Sequence, residues 1–214
     1  MKTLVATVLL VCTSAHAFNI NPDQKLPPHI TYSCSDDDES VLLGAFKIWN
    51  HACDGYFTFE RVNDGAVLSV VTRSIGFGFQ GLTAQQGFTA KISIDTGARD
   101  RAAVMLHEVG HAFGMNHSTD PNAVMSLVDH EFINQDDIDG IRTIYGLSPK
   151  EFGPTILQRA HGVKVIGSFE AMVVIISDGF ITTKRVFVHR LPRGLFTLQF
   201  YCDGIYGTRD LAIP

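Results

Sequence analysis

Residues 107–117 read His-Glu-Val-Gly-His-Ala-Phe-Gly-Met-Asn-His, and this spacing constrains the fold more than any other stretch of the chain. On an α-helix, His107 and His111 project from one face, one turn apart, so both imidazoles can reach a single ion. Glu108 follows the first of them. It is badly placed to be a ligand but well placed to hydrogen-bond a water beside the ion, which is where a general base is needed. Gly114 tolerates the positive φ that stops a helix, so the chain can turn back and present His117 as a third nitrogen donor. Three neutral nitrogens leave a fourth position open to water, the arrangement of a catalytic rather than a structural zinc site. Such a site belongs to hydrolytic chemistry, and it requires a helix, a turn and a returning segment to share one cleft.

The amino-terminal residues carry a processing signal. Lys2 supplies a positive start, an apolar run follows from Leu4 to Val11, and Ala15-His16-Ala17 is a small-residue cleavage pattern. A signal peptide over residues 1–17 is expected, with Phe18 as the first residue of a secreted protein. The apolar run is too short to span a bilayer, and no later segment is long and apolar enough to do so. With 17 basic and 22 acidic side chains and no basic block, the chain offers nothing to a nucleic acid. Of its four cysteines, Cys12 lies within the signal, leaving Cys34, Cys53 and Cys202 for an oxidising compartment.

Residues 18–28 read as an extended, proline-containing approach. Residues 29–34 alternate as a first strand, and Asp36-Asp37-Asp38-Glu39 then opens a helix where the dipole favours acids. Val41, Leu42, Ala45, Phe46, Ile48 and Trp49 form its apolar stripe, and Cys53 ends it. A Cys34–Cys53 disulfide is expected, stabilising by about 3 kcal/mol on the chain-entropy view; pairing of either with Cys202 is the alternative. Residues 56–62 and 66–73 are read as two strands joined by an Asn63-Asp64-Gly65 turn. A glycine-punctuated region with a short strand over 81–86 follows, then a strand over 91–95 and the histidine helix over about 98–113.

The H-E-x-x-H-x-x-G-x-x-H pattern, with Ser118 directly after the third histidine and Ala123-Val124-Met125-Ser126 downstream, resembles the metzincin metalloproteases and, among them, the matrixins. Residues 134–146, Asn-Gln-Asp-Asp-Ile-Asp-Gly-Ile-Arg-Thr-Ile-Tyr-Gly, resemble the closing helix of that family, with Ile138, Ile141, Ile144 and Tyr145 as its buried face. The resemblance covers about residues 28–148. It implies a zincin-like α+β domain, a twisted mixed sheet with three helices, and one catalytic Zn2+ held by His107, His111 and His117. Glu108 is the implied general base, Met125 the methionine of a tight turn beneath the ligands, and an extended polypeptide the substrate. It also implies that an acid of the closing helix, Asp136 or Asp137, can pair with an amino terminus at Phe18.

The chain departs from the family in several places. The cysteine that plugs the zinc has no match, nor do the histidines of the structural zinc within residues 74–98. Of the Ca2+-binding acids only Asp95 matches, one carboxylate for an ion that takes six to eight oxygens. The Pro and Tyr that line the family's specificity pocket are absent from residues 126–130.

Beyond Ser148-Pro149 the pattern changes to β-rich runs at 155–160, 163–171, 172–177, 180–190 and 195–202, separated by His161-Gly162, Asp178-Gly179, Pro192-Arg193-Gly194 and Asp203-Gly204. A small antiparallel β module over 149–214 is expected after a protease domain over 18–148, with His161 and His189 as surface residues. The reading is a secreted zinc endopeptidase. Its rival is a secreted binding protein on a vestigial protease scaffold, acting through the β module.

Overall fold

The computed structural model describes residues 18–150 except 22, 77, 128 and 129, together with strand backbones between 155 and 213. The expected processing segment, residues 1–17, and the side chains of Cys202, His161 and His189 lie outside the described residues.

Five strands form the central sheet: β2 (His29–Ser33), β3 (Thr58–Arg61), β4 (Leu68–Arg73), β5 (Gly81–Gln86) and β6 (Thr89–Asp95). Their order is β3-β2-β4-β6-β5, parallel throughout except for β5, which runs antiparallel along one edge. Two short strands, β1 (Asn19–Ile20) and β7 (Met115–Asn116), pair antiparallel outside it. Three helices complete this part: α1 (Asp36–Ala52), α2 (Arg101–Ala112) and α3 (Gln135–Ile144).

The two strands read on either side of the Asn63-Asp64-Gly65 turn, β3 and β4, do not pair with each other. β2 lies between the two strands, and Tyr32 of β2 pairs with Arg61 at the end of β3 and with Leu68 at the start of β4. The Asn63-Asp64-Gly65 turn therefore steps the chain across the end of β2 instead of reversing it. A two-residue turn signal specifies a local bend, but only the neighbouring strand decides whether the chain returns along itself.

α1 forms where its acids and stripe place it. Ser35 caps it, its side chain accepting from the Asp38 amide, and four acidic residues occupy the first turn. Leu42, Ala45, Phe46, Trp49 and Ala52 are buried in one core with Ile30, Leu68, Val70, Ile92 and Ile94 of the sheet and with Val104, Leu106 and Val109 of α2. The Trp49 indole N–H donates to the Leu106 carbonyl at 2.9 Å, so the two helices are joined by a buried polar contact as well as by apolar packing. Asp38, nearly inaccessible, accepts from Arg101 at the start of α2 and from Thr72 of β4, so its charge is paired within the core.

The cysteines correct one expectation. Among the described residues Cys34 and Cys53 are not bonded to each other, and both are free thiols. They flank α1 at opposite ends, and a helix of 17 residues spans about 25 Å. A disulfide requires Cα atoms within about 7 Å. Burial pushes the Cys53 thiol up to about 12, so it packs as a small apolar side chain.

Beyond residue 150 the backbone forms β8 (Thr155–Arg159), β9 (Gly162–Ile166), β10 (Met172–Ser177), β11 (Phe180–Arg185), β12 (Gly194–Cys202) and β13 (Ile205–Ile213). β8 pairs with β9, and the others form an antiparallel sheet ordered β11-β10-β12-β13. The strand over 205–213 is one the sequence reading does not contain. Among the described residues no helix is long and apolar enough to cross a membrane.

Candidate metal centre and active site

α2 is started by Asp100, whose side chain accepts from the amides of Ala102 and Ala103. It is stopped at Gly114, which has φ 95°. A side chain there is excluded twice over, because a Cβ would also lie 2.7 Å from the Gln24 carbonyl oxygen. The chain then enters β7, and its pairing with β1 directs His117 back toward the helix.

His107, His111 and His117 converge, with one ligand atom from each within 4.8 Å of the others. The Nε2 atoms of His107 and His111 are 3.1 Å apart, and those of His111 and His117 3.3 Å. His107 Nδ1 lies 2.6 Å from the Val124 carbonyl oxygen and His111 Nδ1 2.8 Å from that of Met115. A carbonyl only accepts, so both Nδ1 atoms carry the proton and both Nε2 lone pairs face inward. Burial above all, with His107 beside it, pushes His111 down to about 4, which keeps its ring neutral. Inward lone pairs at this separation repel unless a cation sits among them. Nitrogens about 2.0–2.1 Å from a tetrahedral zinc lie about 3.3 Å apart, so the donor set fits zinc in chemistry and spacing.

Glu108 is buried at 6% exposure, and its carboxylate borders the same cleft of about 720 Å³ as the three histidines. The cleft opens between α2 and the edge strand β5, with Phe79, Leu82 and Leu127 exposed around it.

Met125 is fully buried beneath α2. A Cβ on Gly110 would come within 2.3 Å of the Met125 sulfur and 2.9 Å of Trp49, so the helix approaches both only because residue 110 has no side chain. Gly110→Ala is expected to lower stability by about 1–3 kcal/mol through overpacking, measured as a shift in the urea midpoint at unchanged m.

α3 supports the site from below. Its cap, Asn134, forms a capping box with Asp137. The inaccessible Asp137 carboxylate also accepts from the Val124 amide at 2.9 Å and the Met125 amide at 3.0 Å. Asp136 accepts from the Phe18 nitrogen at 3.1 Å and from the Ser118 hydroxyl at 2.6 Å, linking the amino-terminal segment to the residue after His117. Gly140 leaves room for Phe18, whose Cβ would be 3.2 Å from a Cβ placed there.

Asp95 spends its oxygens on backbone amides, those of Ile75 at 2.7 Å and Gly97 at 2.8 Å. These bonds hold its carboxyl below the usual range.

The structure brings the three expected histidines and Glu108 to one cleft, together with the inner face of β5, which was not among the expected site residues. Gly81, Thr83 and Gln85 alternate toward α2: Thr83 bonds Glu108, and Gln85 donates to the Ala112 carbonyl at 2.8 Å. The period-two run of one small and two polar residues was the available signal.

A mixed sheet with an antiparallel edge strand, three helices and a histidine triad at the end of α2 together fit the α+β, metzincin-like class. The Matrixin family profile matches residues 78–146, bearing out the resemblance read from the motif. Human neutrophil collagenase is 35% identical over 96 residues, which is 42% of this chain and 21% of that protein. Metalloendoproteinase 1 of Glycine max is 42% identical over 59 residues, 25% of this chain and 19% of that protein. Human matrix metalloproteinase-27 is 48% identical over 54 residues, 22% of this chain and 10% of that protein. The matching stretch thus spans about a fifth or less of the length of these relatives.

Proposed function

We propose that this chain is a secreted zinc endopeptidase in which His107, His111 and His117 hold the metal and Glu108 is the general base. The observation that carries the reading is the placing of a buried carboxylate and three inward-facing Nε2 atoms on one cleft. Zinc, when bound, supplies a Lewis acid for a peptide carbonyl and makes a water acidic enough to lose its proton near neutral pH. Glu108 accepts that proton during attack on the carbonyl and returns it to the departing amine. The Val124 and Met115 carbonyls hold the rings of His107 and His111 in orientation. Met125 supports the ligand-bearing helix from beneath. Strand β5 pairs on one side with β6; its outer edge is suited to an extended polypeptide, main chain to main chain. Residues 149–214 form a separate β module in this reading, with a role in packing or substrate attachment.

Digestion of an unbiased peptide library by the secreted protein tests the proposal. Cleavage that stops on adding a chelator and returns with Zn2+ is expected. A zinc-loaded protein that cleaves no peptide would overturn it in favour of a binding protein on the same scaffold.

Processing before Phe18 would place an ammonium where the Phe18 nitrogen already meets Asp136. The neutral contact would then become an ion pair next to Ser118. Extending the mature protein by one residue before Phe18 is expected to reduce kcat/KM several-fold. Equal activity of the two forms would remove this role for the terminus.

A further inference from the structure

Glu108 is held by the opposite wall of the cleft. The Thr83 hydroxyl lies 2.6 Å from Glu108 Oε2 and 3.0 Å from the Glu108 main-chain carbonyl. A hydroxyl has one proton to donate, and the nearer, charged acceptor is the stronger partner. The second carboxylate oxygen is accommodated by the same strand. A Cβ on Gly81 would fall 2.5 Å from Glu108 Oε1 and 2.7 Å from its Cγ, so the absence of a side chain at Gly81 makes the space in which the carboxylate lies. Two residues of β5, on its inward face, thus determine the rotamer of Glu108 from both sides: Thr83 by attraction and Gly81 by leaving room.

Gln85, next along that face, ties β5 to the last turn of α2 through the Ala112 carbonyl. This third contact sets the spacing between strand and helix, so Thr83 meets the carboxylate at a fixed distance. A buried carboxylate with several rotamers available would point at the cleft only part of the time. One anchored at Oε2 by Thr83, with Oε1 lying against Gly81, keeps a single rotamer beside the histidines.

We infer that Thr83 is a positioning residue for the general base, and that the edge strand expected to pair with substrate is also the element that aims Glu108. This inference rests on the endopeptidase reading, and the test separates the two.

Four full-length secreted proteins are compared after loading with Zn2+: wild type, Thr83→Val, Thr83→Ser and Glu108→Gln. Zinc content, melting temperature, and kcat and KM on a fluorogenic peptide taken from the library digest are measured. Valine keeps the shape of threonine without the donor; serine keeps the donor. Thr83→Val is expected to lower kcat about tenfold or more with KM within about twofold, and Thr83→Ser to restore most of it. Zinc content should remain at the wild-type level in all four. A crystal structure of zinc-loaded Thr83→Val should show the Glu108 carboxylate turned away from its wild-type position.

If Thr83→Val retains wild-type kcat, or if Glu108 keeps its place in that crystal structure, the positioning role is overturned while the endopeptidase reading stands. Should Thr83→Ser be as impaired as Thr83→Val, the hydroxyl by itself does not place Glu108, and the inference also fails. If Glu108→Gln itself cleaves the peptide normally, the assignment of the base falls, and the role of Thr83 with it.

Discussion

Glu108→Gln is expected to abolish detectable peptide cleavage while the protein keeps its zinc. Glutamine matches glutamate in size, its amide oxygen can still accept from Thr83, and it makes no demand on the space beside Gly81 that glutamate does not make. What it lacks is the capacity to take up a proton. General-base catalysis contributes on the order of 10²–10⁴ in rate, so kcat should fall by at least that factor with little change in KM. On the transition-state scale this is about 3–5 kcal/mol. Metal analysis and a dye-quenched casein assay on the same preparation check both halves. Loss of zinc together with activity would instead mark Glu108 as part of the metal-holding framework.

The second large effect is expected at Asp137, which touches none of the histidines. Its carboxylate is wholly inaccessible and accepts from three backbone amides, those of Asn134, Val124 and Met125. Burial drives its carboxyl up to about 7 against the opposing pull of these three donors. Asp137→Ala would strand those amides in the core, and each buried unsatisfied donor costs about 1–3 kcal/mol. A loss of at least about 3 kcal/mol is therefore expected, read as a lower urea midpoint.

The consequence reaches the metal. Val124, whose amide bonds Asp137, is the residue whose carbonyl orients His107. Loss of a ligand's orienting partner typically weakens metal binding by about 10–100-fold, so competition with a chromogenic chelator should show weaker zinc retention in Asp137→Ala. Unchanged stability and unchanged zinc affinity would show that the turn through Val124 and Met125 is held by other contacts.

The expected Cys34–Cys53 bridge is not formed, and β3 and β4 on either side of a short turn are not sheet neighbours, for a common reason. Closeness in sequence brings neither pair together in space. The length of α1 separates the two cysteines, and β2 enters between β3 and β4. Local signals carry no information about a third element inserted between two neighbours. The helices fared better because each carries its own start signal and stripe. Ser35, Asp100 and Asn134 cap α1, α2 and α3, and in α1 and α3 the apolar spacing that follows marks the buried face.

The sequence by itself determined the three helices, a strand over 81–86 and the convergence expected of the three histidines with Glu108. The site follows from the spacing of two histidines along one helix and a glycine whose φ ends it, and the helices from their acidic starts and apolar stripes. Tertiary structure alone decided what holds those residues in place. Asp137 under the Val124–Met125 turn, Met125 against Gly110 and Thr83 on Glu108 all join residues distant in sequence, as does the choice of Asp136 over Asp137 for Phe18. Ligand spacing is a property of one helix, whereas the orientation of each ligand and of the base depends on groups that meet only when sheet, helices and amino-terminal segment pack together.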